Sequence, residues 1–599
     1  MVLCAFNFMQ HSVPSEEDSK TTFTVDTVQW VFEGQAFEIA IVGHRDGRVL
    51  LMEPLIIYPV ENMGNLIERP LWSGNAKTRV TIDDSLPIIK NWIHDCETAH
   101  PECKSQKDVP ILPTRVLDVG TAESEDCYLR QPGGEMAHYA ALSHCWGKTK
   151  PLSTTTETLA ERLKGIPFNT LPKAFRDAVV LTRKLGIRYV WIDSLCIIQD
   201  DTRDWEHEAA RMGDIYQDAY ITIAATVAHG SDEGFLRPEK PARRMFFPAL
   251  KQHGYSGLAY VRMEASDYYM SHWSPLAQRA WVFQELVLSR RLIHFTEDQI
   301  FWQCAHWTTS EDGVAKYFYS KESGSGNIHY EERALGPGLK HTLAKDSLAI
   351  EDFRGCWWAG VENYSSRKLT YPSDRVPAFL AVTKLFQNMT GDIPLAGLWK
   401  NDFCVGLLWT VKLNSDGAPP LRFSNVPSWS WFSIDAPLRG HEFSEHKVPV
   451  PRLELLEAKV TWEREPLVSP MVGGKAVVRG RLKKMYLGFV LKGTSLDVDH
   501  VCLRMELTRN SEESQIVVVG RCTLDDPSRI IDHEIWCLDV TEHRTWLYVE
   551  GRNVRCIVHS VLILERTGGD ANEYRRLGCG NVNYEYDFED IQPQTITLI

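Results

Sequence analysis

The fold is decided by residues 171–198, which read LPKAFRDAVVLTRKLGIRYVWIDSLCII. The first half has the spacing of an amphipathic helix: Pro172 stands near its start, Phe175 and Val179 fall on one face, and Gly186 is a typical stop. The second half is a continuous apolar run, which is typical of a strand buried on both faces of a parallel sheet. A helix that passes directly into such a strand indicates an α/β fold.

The same alternation continues on both sides of this stretch. YAALS (139–143) predicts a short buried strand upstream, and DWEHEAARMGDIYQDA (204–219) followed by YITIAATVA (220–228) predicts a further helix and strand downstream. QRAWVFQELVLSRRLIHF (278–295) predicts a third helix that runs into a strand. Strands and helices that alternate with short connections predict a parallel sheet with helices on its faces.

The rest of the chain divides by composition into further segments. A length of 599 residues suggests three or four domains at roughly 150 residues each. We expect an N-terminal β/α extension over 1–112, the α/β domain over 113–305, a linker and helical region over 306–420, and a β-rich C-terminal domain over 421–599. The last assignment rests on many short runs of β-branched and aromatic residues separated by turns.

Charge and cysteine content exclude several classes of partner. The 79 acidic and 65 basic residues give a net charge of −14, so no nucleic-acid partner is expected. The N-terminal residues do not resemble a secretory signal, and no run of about 18 apolar residues predicts a membrane span. The 14 cysteines are scattered, often within apolar stretches, which is typical of reduced thiols in a cytoplasmic protein.

Candidate site residues cluster where the first predicted strand ends, at Ser143, His144, Cys145, Trp146 and Gly147. Ligands of open α/β sheets bind outside the carboxyl ends of the strands. Because side chains alternate along a strand, Ser143 and Cys145 should share one face and His144 the other. These three neighbours therefore do not form a catalytic triad, and buried core roles for His144 and Cys145 are the favoured interpretation from sequence alone.

Two carboxylates fall in apolar surroundings. Asp193 interrupts a buried strand, where it either caps a turn or forms an ion pair, or faces Ser143 or Arg279 as a site residue. Glu285 lies in an apolar helix, on the same face as Trp281. A carboxyl group in an apolar pocket has a raised pKa and can act as an acid or a base, although an anchoring ion pair with Arg279 is the commoner role for such a residue.

Cysteine and histidine also occur at ligand spacing in Cys96-x3-His100-x2-Cys103. A tetrahedral structural zinc site needs four ligands, and apart from His94 no further candidate stands at a usual spacing. The sequence therefore predicts no metal, and the favoured interpretation is a helix end with two buried thiols. The phosphate-binding motifs GxxxxGK[ST] and GxGxxG and the catalytic motifs HExxH and GxSxG are absent from the sequence.

The blocks YAALSHCWG (139–147), LPKAF…YITIAA (171–225) and RAWVFQELVLSRRLIHF (279–295) together resemble the fungal heterokaryon-incompatibility (HET) domain. The resemblance covers about residues 139–300, with looser similarity before and after it. Departures are small: His144 stands where the family often has Tyr, and Val282-Phe283 replace a frequent Thr-Leu. The resemblance implies a role in fungal allorecognition and programmed cell death.

The HET domain has been compared with the TIR fold, which implies a flavodoxin-like parallel sheet. Some TIR domains hydrolyse NAD with a glutamate in a W-C-x-x-E helix, and Trp281-x3-Glu285 has the same spacing with Val282 in place of the Cys. By this analogy NAD is expected as a substrate, with no required cofactor. The resemblance makes Glu285 the first choice for a catalytic residue. Together with the positions singled out above, the candidates for catalysis are Glu285, Asp193, Ser143, His144 and Cys145, and those for ligand binding are Tyr139, Trp146, Gly147, Arg279 and Trp281.

Two other hypotheses remain open at this stage. In one, the α/β domain is a non-catalytic signalling module that forms a homo-oligomer or binds a protein partner through other surfaces. In the other, the chain is an enzyme of fungal specialised metabolism, and the same polar groups line an apolar pocket for acid–base or cyclisation chemistry on a small molecule.

Overall fold

The computed structural model describes the residues 22–31, 36–45, 48–51, 55–59, 81–103, 109–121, 124, 126–237, 243–246, 258–263, 270, 274–297, 299–311, 316–318, 350–412, 420–440, 449–488, 501–509, 513–526, 534–549, 552–568, 572–583 and 588–599. These residues belong to two compact units. Unit 1 comprises 1–208 and 214–344, and unit 2 comprises 209–213 and 345–599. The expected division into four segments is finer than these two units and stays a prediction.

The described residues of unit 1 form two sheets. Its described strands are β1 (Thr22–Val31), β2 (Ala36–Arg45), β3 (Arg48–Leu51), β4 (Leu55–Pro59), β5 (Val116–Asp118), β6 (Asp126–Arg130), β7 (Tyr139–Ser143), β8 (Ile166–Pro167), β9 (Tyr189–Trp191), β10 (Ile221–Ala224), β11 (Arg243–Phe246), β12 (Leu258–Met263), β13 (Arg291–Phe295), β14 (Ile300–Cys304), β15 (Trp307–Ser310) and β16 (Lys316–Phe318). Its described helices are α1 (Ile82–Ala99), α2 (Leu159–Lys164), α3 (Lys173–Lys184), α4 (Asp193–Cys196), α5 (Thr202–Asp218, which runs through residues 209–213) and α6 (Val282–Leu288).

The first sheet of unit 1 is antiparallel. Its strands lie in the order β1-β2-β4-β12-β11, and β3 pairs with β2. The second sheet has the order β16-β15-β14-β13-β10-β7-β9-β5-β6-β8. Its centre, β9-β7-β10-β13, is parallel throughout.

The expectation of a parallel sheet is therefore met at the centre and is wrong at the edges. From β13 to β16 the strands are antiparallel, because the connections between them are far too short to hold a crossover helix. β5 pairs antiparallel with β9 on the other side. The α/β class is thus observed as a mixed sheet, and the resemblance to TIR domains stays a prediction.

Apolar side chains cover both faces of this sheet. On one face, Ile221 and Ile223 belong to a buried cluster with Phe175 and Val179 of α3. On the other, a smaller cluster joins Ala224 and Leu292 to Val282 and Leu286 of α6, and it also contains Cys145. The central strands are buried on both sides, as their continuous apolar sequence predicts.

The chain departs from the expected course just after β9. The strand ends at Trp191, and Asp193 begins the short helix α4 instead of standing inside a strand. Its Oδ1 accepts a hydrogen bond from the backbone N–H of Ser194 at 2.7 Å, which favours the turn. The apolar run continues through Cys196, so periodicity alone does not reveal this boundary.

Unit 2 is rich in β-structure, as expected for the C-terminal region. Its described helices are α7 (Ile350–Ser365), α8 (Leu380–Thr390) and α9 (Phe403–Gly406). Its described strands are β17 (Pro394–Leu395), β18 (Leu398–Trp399), β19 (Thr410–Val411), β20 (Leu421–Arg422), β21 (Ile434–Asp435), β22 (Leu438–Arg439), β23 (Val450–Pro451), β24 (Glu454–Trp462), β25 (Met471–Gly480), β26 (Leu482–Gly488), β27 (Val501–Arg509), β28 (Glu513–Leu524), β29 (Glu534–Val549), β30 (Arg552–Arg566), β31 (Glu573–Asn583) and β32 (Gln594–Leu598).

The large sheet of unit 2 has the order β23-β29-β26-β27-β28-β31-β32-β25-β24, and β30 pairs with β29 and β31. Most of the linker expected before this unit lies outside the described residues. Among the described residues, no helix is long and apolar enough to span a bilayer. The cysteines that the structure describes are free thiols, nearly all of them buried.

Candidate functional site

The candidate site lies where the strand order of the parallel sheet reverses. From β7 the chain crosses to β9 on one side, whereas β10 and β13 follow on the other side. Ser143 is the last residue of β7 and pairs with Ala224, the last residue of β10. Doubly wound sheets bind ligands in the crevice outside the carboxyl ends of the strands at this switch point.

Glu285 reaches this point from α6. Its Oε2 accepts a hydrogen bond of 2.6 Å from the hydroxyl of Ser143, and the hydroxyl of Tyr216 also hydrogen-bonds to the carboxyl group. The residue is only 3% exposed. Burial raises the pKa of Glu285 to about 7, although the nearby charge of Arg279 and the bond from Ser143 act in the opposite direction. The carboxyl group can therefore exchange a proton at neutral pH.

Tyr216 is the member of this group that sequence reasoning missed. It lies in α5 and is fully buried, and its hydroxyl oxygen also lies 3.2 Å from the carbonyl oxygen of Leu142 in β7. Burial and the charges of Glu285 and Asp193 raise its pKa well above the ordinary value, so its hydroxyl keeps its proton. In the sequence it occupies an ordinary core position of an amphipathic helix, which gives no signal for a site role.

Asp193 and Trp146 form a second part of the site. The indole N–H of Trp146 donates a hydrogen bond of 2.8 Å to Oδ2 of Asp193. Asp193 thus accepts a backbone hydrogen bond within the first turn of α4, and it also fixes the ring of Trp146. Trp146 as a residue is half-buried.

His144 lies on the opposite face of β7 from Ser143, in agreement with the alternation of a strand. Its ring stacks on Phe175 with centroids 5.0 Å apart, and its Nε2 lies 3.7 Å from Oδ1 of Asp193. Neither ring nitrogen makes a hydrogen bond. Burial lowers the pKa of His144 to about 4, so the imidazole is neutral at physiological pH.

Arg279 and Cys145 are two further residues of the expected set that lie near the end of β7. The guanidinium of Arg279 donates a hydrogen bond to the carbonyl oxygen of His144, which places a positive charge near the end of β7. Cys145 is buried on the side of α6, and burial raises the pKa of its thiol to about 11. A thiol that keeps its proton at neutral pH is a poor nucleophile, which argues against a catalytic role for Cys145.

The three remaining residues of the expected set, which are Tyr139, Trp281 and Gly147, have other described contacts. Tyr139 begins β7, about 13 Å of strand away from Ser143, and its hydroxyl donates to the carbonyl of Ile215 at 2.6 Å. Trp281 precedes α6 and meets Trp205 edge-on with centroids 6.0 Å apart. Gly147 has a φ of +90°, and a Cβ there would lie 3.0 Å from the Cα of Gly230, so its role is to allow a close turn.

Comparison with protein-family models identifies the segment that holds this site. Residues 139–285 match the model described as "Heterokaryon incompatibility protein (HET)". The chain carries a HET domain. The match begins with β7 and ends at Glu285, so the HET domain contains both partners of the Ser143–Glu285 hydrogen bond.

The HET domain suggests a function in fungal heterokaryon incompatibility. No curated protein and no solved structure matches the chain significantly. The chemistry of the HET domain in this protein therefore has to be argued from its own residues.

Proposed function

We propose that the HET domain of this chain binds a nucleotide, with NAD as the candidate, at the carboxyl ends of β7 and β10, and hydrolyses its nicotinamide–ribose bond. The observation that carries the proposal is the buried carboxyl group of Glu285, which has a pKa of about 7 and is held by Ser143 at the switch point. The Trp281-x3-Glu285 spacing shared with the helix of NAD-hydrolysing TIR domains supports the choice of NAD. A perturbed carboxyl group at such a position is a frequent feature of functional sites.

The reaction needs little from the protein beyond one carboxylate. The bond between ribose C1′ and the pyridinium nitrogen breaks, its electron pair leaves with neutral nicotinamide, and the ribose becomes an oxocarbenium ion. Water then adds to C1′ and loses one proton. In its ionised form Glu285 stabilises the cationic sugar and accepts that proton, for which a pKa near the working pH is well suited.

The neighbouring groups position this carboxylate. Ser143 and Tyr216 hold it through neutral hydroxyls, and Arg279 favours its ionised form. The proposal requires the ribose hydroxyls of NAD to replace the Ser143 hydroxyl as hydrogen-bond partners of Glu285. The ring of Trp146, fixed by Asp193, supplies a surface for stacking.

Nicotinamide release from NAD by the purified full-length chain tests the proposal. Glu285→Gln keeps the shape of the side chain and an acceptor for Ser143 but cannot take a proton, so we expect release to fall by at least roughly 100-fold. Glu135→Gln is the control, because Glu135 is a surface carboxylate that pairs with Arg130 at 2.6 Å. Equal release by the wild type and Glu285→Gln, or none by either at millimolar NAD, rejects the hydrolase.

One observation favours a second candidate, the non-catalytic signalling module. The carboxyl group of Glu285 is buried and hydrogen-bonded to two hydroxyls, an arrangement that also suits a structural anchor between α6 and β7. If HET function is signalling alone, toxicity on expression in a fungal host and concentration-dependent self-association survive Glu285→Gln. Loss of toxicity in a variant that folds and self-associates normally excludes this candidate.

A further inference from the structure

Four potential metal ligands come together in unit 1, and none of them belongs to the candidate site described above. Cys96 lies in the last turn of α1, His100 follows that helix, and Cys103 ends a short 3-10 helix, Pro101–Cys103. Cys304, the last residue of β14, joins them from two hundred positions along the chain. All four side chains are buried, and their ligand atoms lie within 4.8 Å of one another.

The set matches the requirements of one kind of ion. Three sulfurs and one imidazole nitrogen form the Cys₃His set of structural zinc sites, which are tetrahedral and leave no position open for water. The sequence supplies three of these ligands within eight residues, and its prediction of no metal rested on the missing fourth. The fold supplies that ligand as Cys304.

The orientation of His100 agrees with this role. Its Nδ1 lies 3.6 Å from Sγ of Cys304, so this nitrogen faces the sulfurs. The ring is held between two neighbours: His306 stacks on it with centroids 4.2 Å apart, and Trp307 meets it edge-on at 5.5 Å. A ligand that is locked by packing needs little reorganisation on binding an ion.

A positive charge and a backbone donor lie next to the sulfurs. Nε of Arg291 donates a hydrogen bond of 3.4 Å to Sγ of Cys96, and Arg291 stands directly opposite Cys304 in the pairing of β13 with β14. The backbone of Ala305 hydrogen-bonds to the sulfur of Cys103. A zinc ion with three thiolates carries a net charge of −1, which one arginine and backbone N–H groups stabilise.

We propose that Cys96, His100, Cys103 and Cys304 bind one zinc ion. The ion connects the end of α1 to strand β14 of the mixed sheet, and it thereby joins two segments that lie on either side of residues 139–285. With four protein ligands and no open position the ion is structural, and it stabilises the α/β unit without taking part in chemistry at Glu285.

Metal analysis of the full-length chain, purified without added metal, is the first test. We expect about one zinc ion per chain by inductively coupled plasma mass spectrometry. Cys304→Ser should reduce zinc occupancy by at least roughly 10-fold. Cys127→Ser is the matched control, because Cys127 is a buried thiol of the same unit outside the cluster and should leave the zinc content unchanged.

Variants at His100 separate ligation from packing. His100→Cys offers a fourth sulfur and should retain zinc, whereas His100→Ala should lose it. Substitution of zinc by Co²⁺ in the wild type should give the intense visible bands of a tetrahedral ion together with a thiolate charge-transfer band, and this measurement does not depend on any variant folding.

Three results would overturn the proposal. The first is a wild-type chain that contains no zinc and takes up none when Zn²⁺ alone is added under reducing conditions. The second is a disulfide between two of the three cysteines Cys96, Cys103 and Cys304 in freshly purified protein that has not been reduced. The third is iron in place of zinc, which would assign the same ligands to a different centre.

Discussion

Two buried ionisable groups, one in each unit, differ in the partners that surround them. In unit 2, Arg576 of β31 is completely buried, and its Nε and Nη2 donate hydrogen bonds of 2.9 and 3.0 Å to the two oxygens of Asp525. Nη1 and Nη2 also donate to the carbonyl oxygens of Leu407 and Trp409, and the guanidinium lies 3.5 Å from the ring centroid of Trp409. All three nitrogens of this charged group therefore donate a hydrogen bond.

In unit 1, Glu285 is buried to a similar degree, but its hydrogen bonds come from the neutral hydroxyls of Ser143 and Tyr216. Burial then dominates, and the pKa of the carboxyl group rises to about 7. The comparison teaches that burial alone does not distinguish a structural charge from a reactive one. A structural charge has its full set of partners, whereas a group poised between two protonation states costs stability and is retained where function needs it.

The largest effect is expected from breaking the paired charge. Among the described residues, Arg576→Met leaves the buried Asp525 with Arg422, at 2.9 Å, as its ionic partner. We expect the free energy of unfolding of unit 2 to fall by about 3 to 5 kcal/mol, because removing one member of a buried pair strands the other. Hydrogen-exchange mass spectrometry on peptides of β31 measures this locally.

Arg575→Met is the control for that experiment, since Arg575 is the preceding residue of β31 and its side chain is exposed. It should change stability by no more than about 0.5 kcal/mol. In the Arg576→Met background, Asp525→Asn should recover part of the loss by removing the stranded charge. Equal costs for Arg576→Met and Arg575→Met would contradict the assignment of Arg576 as a structural charge.

The second prediction concerns Glu285, where substitution should increase the free energy of unfolding at neutral to alkaline pH instead of lowering it. Its pKa rises from 4.5 to about 7 on folding, so between these values the folded state binds more protons than the unfolded state. Stability from this group is therefore greatest below pH 4.5 and falls as the pH rises to about 7. The Gln in Glu285→Gln cannot titrate. The difference in free energy of unfolding between this variant and the wild type should therefore move in favour of the variant by up to about 3 kcal/mol between pH 4.5 and pH 8.

Urea unfolding of wild type and variant at both pH values measures this difference. Buried histidines also titrate in this range: burial lowers the pKa of His144 and of His294 to about 4. Their contribution is lost as the pH falls from 6.5, and it is common to both proteins, so the difference between them isolates Glu285. A difference that does not change with pH would show that Glu285 keeps its ordinary pKa.

A third and smaller loss of stability is expected from a substitution of Trp146. Trp146→Phe removes the N–H that donates to Asp193 and leaves that carboxylate the bond from Ser194. Because Asp193 is partly solvated, with its side chain 15% exposed, we expect a cost of about 1 to 2 kcal/mol at neutral pH. In the Asp193→Asn background the same change should cost less, and a double-mutant cycle with no coupling would remove this bond from the description of the site.

The sequence predicts well those features that depend on residues close together in the chain. The helix over Lys173–Lys184, the buried strands and the polar residue at the end of β7 all follow from periodicity and from apolar runs. Glu285 stands out because a carboxyl group in an apolar helix is unusual. Each of these signals lies within a window of a few residues.

What the sequence cannot predict depends on contacts between distant segments. Tyr216 joins Glu285 from a helix whose pattern marks it as core, and Cys304 joins Cys96 and Cys103 from a strand whose pattern gives no sign of a ligand. The antiparallel edges of the sheet depend in the same way on which strands pair. Tyr139 belongs to the same short block as Ser143 but lies at the other end of the strand, and its role in the site stays a prediction.

The smallest loss of stability is expected from breaking an ion pair that is exposed to solvent. This experiment tests whether a short contact distance, and not burial, determines how much a charged pair contributes to stability. Nζ of Lys184 lies 2.6 Å from Oδ1 of Asp83, the same separation as in the hydrogen bond between Ser143 and Glu285, but the two side chains are 33% and 62% exposed. Lys184→Ala should therefore cost no more than about 0.5 kcal/mol by urea unfolding, and the cost should vanish near 1 M salt, where exposed charges are screened within about 3 Å. The cost of Arg576→Met should persist at that salt concentration, because its charges lie out of reach of solvent ions. If Lys184→Ala proved as costly and as insensitive to salt as Arg576→Met, short contacts alone would determine stability, and the contrast drawn between Arg576 and Glu285 would lose its basis.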